Sequence, residues 1–88
     1  MTRAEIKEIK KIINQGKHYR TYFKRDTGEL RVIVFEHNTY YGPLDKDKER
    51  NSILDLLNKL VSGGLRPRFK IDRKRYQGYL DFTYVVFY

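Results

Sequence analysis

The chain has 88 residues, 40% hydrophobic and 34% charged, a length that supports one modest core and a composition that excludes a disordered or low-complexity chain. Nineteen Lys and Arg against eleven Asp and Glu leave a net charge of +8, so the long-range field favours polyanions: DNA, RNA, an acidic protein or an anionic membrane. The absence of cysteine excludes disulfides, thiolate zinc sites and thiol catalysis, and no apolar run approaches the ~20 residues of a membrane span. The N-terminus MTRAEIKEIKK is charged where a signal peptide needs an apolar stretch, so neither secretion nor membrane insertion is expected, and the expected address is intracellular, cytoplasmic. Plentiful Lys, Ile, Tyr and Asn without Trp or Cys fit an AT-rich coding genome of the viral or mobile-element kind.

Thr2 and Glu5 form a T-x-x-E capping pattern, and Ile6, Ile9, Ile12 and Ile13 recur at helical spacing, which predicts an amphipathic helix ending near Gly16. Residues 18–24 and 29–37 are rich in aromatic and β-branched types and flank Arg25-Asp26-Thr27-Gly28, a hairpin signature. A four-residue loop there pairs Lys24 with Glu29 and keeps Arg20 and Lys24 out of the core, where unpaired charge is costly. Residues 38–48 read as a loop, and the adjacent Tyr40 and Tyr41 are expected to bury against a helix end. A second helix follows over 49–62, with Ser52 and Asp55 as a capping pair and Gly63-Gly64 as its stop. Residues 65–71 and 79–87 make a second hairpin around a basic turn, and Pro67, lacking an N–H, marks its first strand as an edge strand or as beginning there.

The expected fold class is α+β, one domain in the order α-β-β-α-β-β, with two helices packed on one face of a four-stranded, mainly antiparallel sheet. The halves 2–37 and 49–88, joined by loop 38–48, read as a tandem αββ repeat: KKIINQG falls on NKLVSGG, Gly28 on Gly78, Leu30 on Leu80 and Val32 on Phe82. The order resembles the core of single-motif homing endonucleases, but the first helix lacks that family's paired Gly and terminal acidic residue, so its activity is not carried over.

Strand residues alternate sides. The expected core side takes Tyr19, Thr21 and Phe23; Leu30, Val32 and Val34; Leu65, Pro67, Phe69 and Ile71; and Leu80, Phe82, Tyr84 and Val86. The opposite side then interleaves cations and rings, the pattern that binds nucleic acid by meeting phosphates and stacking on bases. Arg20, Lys24, Arg31, Arg66, Arg68 and Lys70 are the expected phosphate contacts on the sheet, joined by Arg73, Lys74 and Arg75 on a hairpin tip. Tyr22, Phe35, Tyr76 and Tyr79 are the expected stacking rings. The expected function is therefore a small, non-enzymatic RNA- or DNA-binding protein with no cofactor, metal or catalytic residue assigned.

The apolar FTYVVFY segment reads either as a central strand or as half of a homodimer contact, and a dimeric regulator or inhibitor of a host nucleic-acid machine is the first alternative. A small metal-independent ribonuclease using His18 or His37 near Glu36 is the second.

Overall fold

The structure is a computed structural model that describes residues 1–88. Thr2 Oγ1 accepts from the Glu5 N–H and Glu5 Oε1 accepts from the Thr2 N–H, both at 3.1 Å, so the first helix, α1 (Arg3–Ile13), starts on a closed capping box. It buries Ile9, Ile12 and Ile13. Two strands, β1 (Thr21–Lys24) and β2 (Glu29–Asn38), follow, with Lys24 opposite Glu29 and the four-residue loop between them as expected.

A short 3-10 turn (Thr39–Tyr41) leads toward the second helix, α2 (Lys46–Ser62). It starts three residues earlier than the periodicity predicts because Asp45, not Ser52, is its cap: the carboxylate accepts from the Asp47 and Lys48 N–H groups, each at 3.1 Å. Tyr40 and Tyr41 are 79% and 87% exposed, so neither buries against a helix end. At the other end of α2, Lys59 Nζ donates to the Ile13 and Gln15 carbonyls at 3.3 and 2.8 Å, tying the C-termini of the helices together.

The last two strands are β3 (Phe69–Tyr76) and β4 (Leu80–Phe87). β3 begins beyond Pro67, where every residue again has an N–H to donate. It then runs through the whole basic segment, which corrects the expected tip: Arg73, Lys74, Arg75 and Tyr76 are strand residues. The tip is Gln77-Gly78, both at positive φ (55° and 78°), closed by a 3.2 Å bond from the Tyr79 N–H to the Tyr76 carbonyl.

All four strands are antiparallel in the order β1-β2-β4-β3, as the expected fold class requires. β4 is paired on both sides, so FTYVVFY is a central strand and offers no free edge to a second copy. The helices cover one face, where Ile9, Ile12, Ile13, Leu56 and Leu60 pack on Leu30, Val32, Val34, Val85 and Phe87. Full burial of a side chain such as Phe87 contributes roughly 1.5 to 3 kcal/mol. No helix is long and apolar enough to cross a membrane.

Two features invert the expected faces. The register sets Leu30 against Phe87 and Val32 against Val85, so β4 turns its odd residues to the helices, and Phe82, Tyr84 and Val86 face away. A register shift between Ile33 and Phe35, a bulge at Val34, then moves Phe35 to the helix side, where it packs against the main core. The tandem superposition fails at residue level for the same reason: Val32 lies in the helix-side core and Phe82 on the opposite face, although each half does supply a helix and a hairpin.

The α1–α2 contact is close at Gly63, where a Cβ would lie 2.7 and 2.9 Å from two Ile12 side-chain carbons. Its φ of −84° is ordinary, so only the contact disfavours a side chain. Gly63→Ala is expected to cost about 1 to 2 kcal/mol as an overpacked core, read as a lower urea midpoint with unchanged slope.

Candidate nucleic-acid interface

The uncovered face is assembled in rows by the strand register. Tyr22 pairs with Arg31, which pairs with Val86 and, beyond it, Lys70; Ile33 lies level with Tyr84 and Asp72; Glu36 lies level with Phe82 and Lys74. Tyr22, Lys24, Arg31, Lys74, Tyr76, Phe82 and Tyr84 line a depression of about 330 Å³ that crosses all four strands. Its rings are held against one another: Tyr76 and Phe82 lie 5.0 Å apart at 58°, and the Tyr76 and Tyr84 hydroxyls are 2.8 Å apart. Burial, reinforced by the Tyr76 hydroxyl, pushes the Tyr84 phenol far above its ordinary value, so it stays protonated and a hydrogen-bond donor.

The cations divide into tied and free. Arg31 lies in the floor, its guanidinium 4.8 Å from the Tyr84 ring centre, paired with Asp72 and, at 3.5 Å, with Glu29. The hydrogen bond from Arg31 holds the Asp72 carboxyl below the usual carboxylate range. Lys70 Nζ is 2.8 Å from Glu29, whose carboxyl it likewise lowers, and Arg20 pairs with Glu36 beside the Phe82 ring. Lys24 and Lys74 take part in none of the ion pairs and are the two depression-lining cations free to meet a phosphate.

Several expected contacts lie elsewhere. Arg73 points to the helix side, where Nε donates to Glu49 Oε2 at 2.6 Å and Nη2 bonds Oε1. Arg75 is also on that side, bonded to both Asp81 oxygens at 2.7 and 3.0 Å. Phe35 left the open face at the bulge, and Tyr79 sits beside the hairpin tip, stacked on Tyr40 at 5.2 Å. Arg66 and Arg68 precede β3 and are exposed; Arg68 lies over the Tyr88 ring at 4.9 Å, whereas Arg66 borders a groove with Glu5 and Ile9 of α1. Tyr22, Lys24 and Lys70 are on the expected face, as are the ion-paired Arg20 and Arg31, whereas Lys74 and Tyr76, expected at the tip, join that face as strand residues.

Sequence reasoning missed Phe82 and Tyr84, because β4 is apolar on both faces and a central strand loses its alternation. Recognising residues 77–79 as a three-residue loop, which pairs Tyr76 with Leu80, would have set the β3–β4 register and exposed both rings. The histidines have different neighbours: His37 Nε2 bonds the Gly42 carbonyl at 2.8 Å, while His18 lies in a shallow groove with Lys17, Arg20 and Glu36. No three His, Cys, Asp or Glu side chains gather in a metal-holding group. In comparisons with known proteins no family model matches the chain, and neither a curated protein nor a solved structure matches it.

Proposed function

We propose that the protein binds RNA or DNA through the helix-free face of its sheet, by stacking on Tyr22, Tyr76 and Phe82 and by phosphate contacts from Lys24 and Lys74, extended by Lys70 and Arg68. The observation that carries this reading is the ring-lined depression with two unpaired lysines on a net-positive chain. Rings give sequence-tolerant stacking and lysines release counterions from the backbone. The reading is of a binding protein and gives His18 and His37 no catalytic role: neither lines the ring-walled depression, and His37 Nε2 is taken up by the Gly42 carbonyl.

A gel shift with single- and double-stranded DNA and RNA tests it. About three or four phosphate contacts predict that the logarithm of single-strand affinity falls with the logarithm of salt with a slope of roughly −2 to −3. No binding to any of the four polymers at low salt would sink the proposal. A second reading, an interaction module acting as a homodimer, draws on Phe69 and Ile71, both about two-fifths exposed on the edge strand β3. A light-scattering mass on the same samples, monomer or dimer, weighs it against the first.

A further inference from the structure

We infer that the depression is a seat for a single unpaired base, so that the protein selects single strands over duplexes; this rests on the nucleic-acid reading above and narrows it. The walls and floor differ in kind. Tyr22 and Tyr76 rise from the two edge strands and are 51% and 41% exposed, while Tyr84 in the floor is buried. At about 330 Å³ the space is at the small end of ligand pockets, which run from about 300 to 1,000 Å³. It has room for one base with its sugar.

The floor supplies shape more than charge. Arg31 is already neutralised by Asp72 and Glu29 and lies against Tyr84, so its guanidinium is committed within the protein. Tyr84 has the Tyr76 hydroxyl as its only side-chain hydrogen-bond partner. The bond between the two hydroxyls, in which either can donate, gives the buried Tyr84 its partner and holds the Tyr76 ring in place as a wall. Lys24 on β1 and Lys74 on β3 border the same space from opposite ends, level with Glu29 and Glu36 of β2, an arrangement that suits a backbone running past the seated base to either side. In a duplex the bases are stacked inside and only the backbone is presented, so the lysines could be reached and the rings could not.

The test uses an oligonucleotide of about ten bases carrying one fluorescent 2-aminopurine, alone and annealed to its complement, titrated with wild type and with the Tyr22→Leu/Tyr76→Leu variant. Both rings are half-exposed; loss of the Tyr76 hydroxyl leaves the buried Tyr84 hydroxyl without its partner, so the urea midpoint is expected to fall, and a cooperative urea transition from a fully folded baseline verifies that the variant is folded under the titration conditions. The single strand is expected to bind at least about tenfold more tightly than the duplex, with the fluorescence change of a base entering a ring-lined site. The variant is expected to lose about tenfold or more of single-strand affinity, with its salt slope and its duplex affinity unchanged. Equal affinity for strand and duplex overturns the base seat and leaves the wider reading standing, whereas a variant that binds the single strand like wild type overturns the base seat together with the stacking role of Tyr22 and Tyr76 and leaves only the phosphate contacts. Failure of every polymer to bind overturns both.

Discussion

Lys24→Glu/Lys74→Glu is expected to weaken single-strand binding by roughly 30- to 100-fold at about 50 mM salt and to flatten the salt dependence by about 1.4. The two lysines are the only depression-lining cations without a carboxylate partner, so reversing them removes two phosphate contacts and places two repulsive charges beside the same path. Long-range attraction is separated from direct contact by a control. Lys46→Glu/Lys48→Glu makes the same change in net charge on the first turn of α2, among the helices that cover the other face. It is expected to cost severalfold at most at low salt, with a slope near wild type. Equal losses from the two double variants would mean that overall charge, not the sheet face, does the binding.

Glu49→Gln is expected to destabilise the fold by about 2 kcal/mol at pH 7, and by far less near pH 3. Glu49 is a buried carboxylate at the start of α2 that accepts from Arg73 on β3 and, at 2.7 Å, from the Thr83 hydroxyl on β4. The hydrogen bond from Arg73 lowers its carboxyl below the ordinary 4.5 and outweighs the opposing effect of burial. A carboxyl lowered in the folded state adds stability that is complete above its unfolded value and is lost as pH falls through the folded one. The window of loss therefore opens near pH 4.5 and extends downward. Gln keeps the shape and removes the charge, so paired urea titrations at the two pH values isolate the ionic part. A penalty equal at both would assign the effect to hydrogen-bond geometry.

Much of the fold was legible because local signals agreed with it. The Thr2–Glu5 box, the isoleucine spacing of α1 and the four-residue loop at Arg25–Gly28 all depend on neighbours in the chain. Those signals sufficed for the α-β-β-α-β-β order and for the placement of Tyr22, Lys24 and Lys70, but not of Lys74 and Tyr76, which were expected at a tip. What was hidden depends on register between distant segments. The bulge at Val34 has no signature in VIVFE, yet it carries Phe35 to the other face. Asp72 and Glu29 looked like isolated acids in basic runs; only the pairing of β2 with β4 and β4 with β3 brings them to Arg31 and Lys70. The arginines of the expected grip were thus mostly neutralised by partners elsewhere in the chain, and two of its three lysines, Lys24 and Lys74, were left free.

The depression has no existence in either half of the chain. Tyr22 and Lys24 come from the first hairpin, Lys74 and Tyr76 from the second, and the floor from β2 and β4, which meet only when residues such as Leu30 and Phe87 have found each other across the chain. On the proposed reading a nucleic-acid strand would recognise a product of the most non-local strand pairing in the sheet, and a chain with one hairpin undone would have nothing to offer it. Occupancy is then a lock on the whole fold: at a hundred times the dissociation constant it adds about 2.7 kcal/mol against global unfolding. In a domain this small that is a large share of the usual ~5 to 15 kcal/mol, so the bound chain would outlast the free one wherever proteases cut what has opened.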